Sequence, residues 1–190
     1  MKIGLFFGSF NPVHVGHMIL ANYMLEYTDL ERIWFVISPQ NPLKDKSTLL
    51  DEKHRYNMVN IAIGENDKIK ASDVEFNLEK PSYTIDTLNL LTKENPDDEF
   101  VIIMGTDNLE NFDKWKDFVK ILHKYKLYVY SRSTSNGGYL KNHSQVKIIN
   151  AHMVESSSTF IRQAIKENRD MRYFMPTGVW EHIQENNLYK

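Results

Sequence analysis

Gly8-Ser9-Phe10-Asn11-Pro12-Val13-His14-Val15-Gly16-His17 separates an apolar run at 2–7 from a nearly all-apolar stretch of helical period at 17–27. The run is short and rich in Ile, Leu and Phe, which suits a strand buried on both faces. Gly8 and Gly16 let the backbone approach a ligand closely, and the start of the following helix offers unpaired N–H groups at the positive end of its dipole. The outline is an anion cradle. It lacks the Gly-Lys-Ser/Thr ending of a P-loop and the Gly-x-Gly-x-x-Gly pattern of a dinucleotide fingerprint. His14 and His17, three residues apart, share a face if they lie on the first helical turn, where imidazoles can donate to phosphate oxygens. Two plainer readings compete: ordinary structural histidines, or a metal pair needing a third ligand that no nearby Asp or Glu supplies.

Outward from this turn, further strand-like runs lie at 32–37, 100–104, 126–130 and 146–150, with a weaker one at 69–77. Helical period marks 51–63, 84–94, 115–125, 158–167 and 176–186. Alternating strands and helices predict an α/β fold: a Rossmann-like, doubly wound parallel sheet with helices on both faces. The chain reads as a single domain over 1–190, with 158–190 as its C-terminal helical part. Ligands in such sheets bind beyond the carboxyl ends of the strands, where strand order reverses. The stretch 131–138, with three Ser, one Thr and two adjacent Gly, reads as a surface loop.

Composition removes several function classes. The 190 residues include no cysteine, so thiol catalysis, Cys-based zinc sites and disulfide scaffolds are excluded. Lys plus Arg number 23 against 25 Asp plus Glu, which argues against non-specific binding to nucleic acid or anionic membrane. No stretch approaches the roughly 18 apolar residues of a membrane span, and the apolar 3–7 is too short for a signal-peptide core. A cytoplasmic location is the simplest expectation.

A second motif is Ser157-Ser158-Thr159-Phe160-Ile161-Arg162. Either serine can cap a helix, and Arg162, four residues after Ser158, leans back towards that end. Hydroxyls, helix-end N–H groups and a guanidinium then converge, which suits a polyphosphate; the plain alternative is a capped amphipathic helix with a solvated Arg. Together with 8–17, this stretch resembles the nucleotidyltransferase superfamily that carries a His-x-Gly-His motif and a Ser-Ser-Thr-x-Ile-Arg motif. Three more stretches are similar to nicotinate-nucleotide adenylyltransferases of the bacterial type. They are Ser38-Pro39-Gln40-Asn41-Pro42-Leu43-Lys44, Pro81-Ser82-Tyr83-Thr84-Ile85-Asp86-Thr87-Leu88, and Gly105-Thr106-Asp107-Asn108 with Trp115 beyond it. The resemblance covers essentially the whole chain.

The resemblance implies an enzyme that joins ATP to nicotinate mononucleotide, giving the deamido precursor of NAD and pyrophosphate. It makes His14, His17, Lys44 and Arg162 catalytic, through donation to phosphate oxygens and clamping of the triphosphate. Gly8, Ser9, Phe10, Gly16, Gly105, Asp107, Ser157, Ser158 and Thr159 would bind ATP. Asn41, Tyr83, Thr84, Trp115 and Arg132 would bind the mononucleotide, with Trp115 stacking on the nicotinate ring and the Tyr83–Thr84 region meeting its carboxylate. Magnesium (Mg2+) is the implied cofactor, held mainly through ATP phosphates rather than by a protein cage. ATP and nicotinate mononucleotide are the expected partners, with no nucleic acid, no membrane, and homo-oligomerisation left open. Three positions depart from the family pattern: the shortened segment at 42–44, Ser156 in place of Ile, and Ser133 after Arg132 where Pro-Gly is common. The alternatives are another adenylyl- or cytidylyltransferase of the superfamily, such as a phosphopantetheine adenylyltransferase, or a nucleotide-binding regulator without chemistry.

Overall fold

A computed structural model describes residues 1–40, 49–133, 135–152, 154 and 156–190. Strands β1 (Lys2–Gly8), β2 (Arg32–Ile37), β3 (Ile69–Ser72), β4 (Glu99–Gly105), β5 (Lys126–Tyr130) and β6 (Val146–Ile149) form one sheet. Every pairing is parallel and the order is β3-β2-β1-β4-β5-β6, so the sheet reverses direction of growth between β1 and β4. This is the doubly wound topology that the alternating pattern predicts.

The helices are α1 (Val15–Tyr27), α2 (Glu52–Ile63), α3 (Thr84–Glu94), α4 (Thr106–Glu110), α5 (Phe118–Lys124), α6 (Ser158–Lys166) and α7 (Val179–Glu185). The central strands alternate apolar side chains between two cores. Phe6, Val101 and Ile103 meet Leu20 and Met24 of α1, Met58 of α2, Ile161 of α6 and Ile183 of α7. Leu5, Ile102 and Met104 face the other way, against Leu88 of α3 and Ile121 of α5. Burial on both faces explains the unbroken hydrophobic runs. The C-terminal helices therefore share the core that α1 and α2 build.

Several boundaries differ from expectation for local reasons. The helix expected from 17 begins at Val15, because His14 serves as its N-cap. The run 69–77 is a strand only to Ser72; Val74–Asn77 turns into a 3-10 helix that buries Glu75. The helix expected over 115–125 starts at Phe118, since Trp115 is extended and Asp117 adopts a left-handed conformation at φ 54°. The last helix waits until Val179, after Gly178 at φ 85°. β6 pairs only with β5 and leaves Lys147 and Ile148 exposed, so it is an edge strand rather than a central one. Among the described residues no helix is long and apolar enough to cross a membrane.

Candidate active site

The turn from β1 into α1 sits at the carboxyl end of β1, beside the point where strand order reverses. Phe10, at φ 45° and 3 % exposed, drives its ring into the core against Phe6 and Phe35. That ring needs Gly8: a Cβ there would come within 2.7 Å of it. A bulky residue in the left-handed region persists only where packing over-determines it, and here the aromatic cluster does so.

His14 and His17 form the entry to α1. The N–H of His14 donates to Nδ1 of His17 at 3.2 Å, and the His17 N–H donates to the His14 carbonyl at 3.0 Å. The two rings lie 3.7 Å apart between centroids, and His17 also packs edge-on against Phe10 at 5.1 Å. With Nδ1 accepting, the neutral His17 ring carries its proton on Nε2, so Nε2 is the donor. His14 is only 6 % exposed, and a Cβ on Gly16 would press on its ring at 3.1 Å. Its Nδ1 is buried without a hydrogen-bond partner among the described residues.

Burial, aided by the nearby Arg132 charge, pushes the His14 pKa down to about 4 from its ordinary 6.5. Between those values the unfolded chain binds a proton that the folded one refuses, so stability is lost as pH falls from 6.5 towards 4. From pH 7.5 to pH 5 the wild type is expected to lose about 2 kcal/mol more than His14→Gln, read by urea unfolding at both pH values. Equal losses in the two proteins would show that His14 titrates normally.

The second motif arrives from far along the chain. Ser157 is the N-cap of α6, accepting from the Phe160 N–H at 3.1 Å. Ser158 Oγ donates to the Pro12 carbonyl at 2.9 Å, and Arg162 Nη1 donates to the Asn11 carbonyl at 2.8 Å. Arg162 also reaches Thr159 Oγ1 at 3.4 Å. Ser158 and Arg162 are thus docked on the β1–α1 turn, which brings the two motifs to one place. Asn11 is held from the other side by Tyr189, whose hydroxyl donates to Asn Oδ1 at 2.8 Å.

Across the β1–β4 divide, Gly105 ends β4 and Asp107 lies in the first turn of α4. Asp107 Oδ1 lies 3.4 Å from Arg132 Nε, while Arg132 Nη2 donates to the Tyr130 hydroxyl at 3.0 Å. Asp107 and Arg132, expected on different substrates, therefore meet at one point beside the histidines. Tyr83, Thr84 and Trp115 form a second group. Tyr83 caps α3, whose first-turn N–H groups, those of Thr84 and Ile85 among them, have no partner within the helix. Lys116 holds its ammonium 4.6 Å above the Tyr83 ring and pairs with Asp86 at 2.9 Å, drawing the Trp115 segment to the start of α3. Trp115 is half-buried against Phe112, ring centroids 5.0 Å apart. Asn41 and Lys44 lie outside the described residues.

Sequence reading passed over two residues. Arg55 of α2 is 0 % exposed and donates to the carbonyls of Ser9, Ser38, Pro39 and Leu50. Glu75 is 2 % exposed and accepts from Ser82 and Thr87 hydroxyls, each at 2.8 Å.

Residues 5–164 match the family model described as Cytidylyltransferase-like. The probable nicotinate-nucleotide adenylyltransferase of Flavobacterium johnsoniae is 50 % identical over 192 residues, covering 100 % of both chains. That of Cytophaga hutchinsonii is 49 % identical, over 100 % of this chain and 98 % of its own. The chain belongs to the nicotinate-nucleotide adenylyltransferase family. It is a nucleotidyltransferase. The fold has a solved counterpart in a Plasmodium falciparum nicotinic acid mononucleotide adenylyltransferase complexed with NaAD. That structure is 22 % identical with a TM-score of 0.84, over 99 % of this chain and 97 % of its own.

Proposed function

We propose that the chain transfers the adenylyl group of ATP to nicotinate mononucleotide, with the polyphosphate on the β1–α1 turn and the nicotinate beside Trp115 and the start of α3. The observation carrying this reading is the docking of Ser158 and Arg162 onto the turn that presents His14 and His17. Donors of three kinds, imidazole, guanidinium and helix N–H, are gathered where strand order reverses, the place at which such sheets bind ligands.

The mechanism needs no general base. A phosphate oxygen of the mononucleotide is already anionic near neutral pH. It attacks the α-phosphorus of ATP; the new P–O bond forms as the bond to the β-phosphate oxygen breaks, and pyrophosphate leaves with that electron pair. Catalysis is in-line positioning plus charge neutralisation. His17 Nε2 donates to the α-phosphate, Arg162 and Lys44 grip the leaving pyrophosphate, and the buried, neutral His14 fixes the His17 ring. Asp107 accepts from the adenosine ribose, and Arg132 lies between the two substrates' phosphates. Magnesium, when bound with the polyphosphate, would supply further charge neutralisation there; among the described residues no cluster of His, Asp and Glu could cage it, so it would depend mainly on the substrate.

On the other side, the nicotinate carboxylate meets the N–H groups at the start of α3 and its ring lies on Trp115. An amide in its place presents its own N–H groups to donors. Pyrophosphate release with ATP and magnesium should favour nicotinate mononucleotide over nicotinamide mononucleotide by about 10²-fold in kcat/KM, with no turnover of phosphopantetheine. Preference for phosphopantetheine, or for the amide, would overturn the assignment.

A further inference from the structure

Arg55 and Glu75 are both buried and ionisable, yet neither is the other's partner. Arg55 Nη1 bridges two main-chain carbonyls, Ser9 at 2.6 Å in the β1–α1 turn and Ser38 at 2.8 Å beyond β2. Its Nε and Nη2 bond the carbonyls of Leu50 and Pro39. Glu75 takes the Ser82 hydroxyl on one oxygen and the Thr87 hydroxyl on the other, and the Ser38 side chain lies beside its carboxyl group. Ser82 and Thr87 flank Tyr83 and Thr84. Hydrogen bonds therefore run from Ser9 through Arg55 to Ser38, whose side chain lies beside Glu75, and from Glu75 on to the first turn of α3.

A buried ion pair can often be exchanged for apolar residues at little cost, but neither of these groups has an ionic partner to leave with it. What multiply bonded polar groups add is direction: each fixes several loop atoms relative to one another. In-line transfer is sensitive to that, since a misplacement of about 1 Å can cost about 10²-fold. We propose that Glu75 and Arg55 are positioning residues that share Ser38 as an anchor and hold the mononucleotide pocket at a set distance from the phosphate cradle. This rests on the substrate reading above.

The two residues differ in what they hold. Glu75 touches the mononucleotide side and Ser38, whereas Arg55 reaches the cradle itself. Glu75→Gln keeps size and one acceptor oxygen but turns an NH2 towards hydroxyls that had donated. Steady-state kinetics with each substrate varied separately should show its KM for nicotinate mononucleotide raised about tenfold, with KM for ATP within about twofold of wild type. Ser82→Ala and Thr87→Val should shift the same KM less, and either one combined with Glu75→Gln should add little, as members of one network do. These milder variants carry the test if Glu75→Gln does not fold. Equal rises in both KM values, or a lowered melting temperature with both KM values unchanged, would make Glu75 a core residue only and overturn the proposal. A wild type that ignores nicotinate mononucleotide fails before any variant is compared, and takes the substrate reading down with this one.

Discussion

Replacing His17 by Ala is expected to lower kcat/KM for pyrophosphate release by about 10² to 10³, equivalent to about 3 to 4 kcal/mol of transition-state stabilisation. The size follows from how firmly the ring is placed. Nδ1 is tied to the His14 N–H, one face lies against the His14 ring, and its edge meets Phe10 and Phe6. A donor held by its surroundings spends no free energy on reorientation when charge develops on the α-phosphate oxygens. The same substitution removes the side-chain acceptor of the His14 N–H at the start of α1, which costs about 1 kcal/mol of stability. Activity should therefore collapse while the melting temperature falls only a few degrees. His17→Asn separates the two effects, because an amide can accept from the cap N–H and still donate. It should regain stability and part of the rate. Turnover of His17→Ala at the wild-type rate would remove His17 from the chemistry.

The parts of this site that were legible in the sequence are those whose chemistry needs residues close together in the chain. His14 and His17 share the first turn of α1 because they are three apart, and Arg162 leans back over the α6 N-terminus because it follows Ser158 by four. Both relations are set by helix geometry. The doubly wound sheet was legible for a similar reason, since burial on both faces leaves unbroken apolar runs in β1, β2 and β4. Arg55 and Glu75 were not legible. Arg55 sits in Asp51-Glu52-Lys53-His54-Arg55, which reads as a solvated charged turn at a helix start. Its only local signal is that Met58 and Val59, three and four residues on, are buried, which puts it on the inward stripe of α2. Glu75 lies in a run of strand-like spacing, and its partners Ser82 and Thr87 are found only when the chain folds back. Trp115 shows the converse case. The helical period over 115–125 is real, but Asp117 in the left-handed region stops the helix short and frees the indole to pack on Phe112.

Arg55→Met is expected to destabilise the protein by about 3 to 5 kcal/mol, the largest stability loss for any single side chain considered. Exchange of a buried ion pair for apolar groups is often harmless, because both partners leave together. That escape is closed here. The partners of Arg55 are the main-chain carbonyls of Ser9, Ser38, Pro39 and Leu50, which no substitution can delete. With 0 % exposure at the guanidinium, water does not replace it, and the carbonyls keep their desolvation cost without a donor. Burial already pushes the Arg55 pKa down, with Glu52, Tyr189 and Asp51 opposing, so the folded chain bears the cost of an interior charge. It bears that cost in return for a fork that grips the ends of two neighbouring strands. Lys offers one ammonium where the fork reached four oxygens, so Arg55→Lys should fall between wild type and Met. Against a total of about 5 to 15 kcal/mol for a domain of this size, the Met variant should show a sharply lower denaturant midpoint with an unchanged slope. A loss below about 1 kcal/mol would mean that the carbonyls find other donors, and the β1 and β2 loops are held by something besides Arg55.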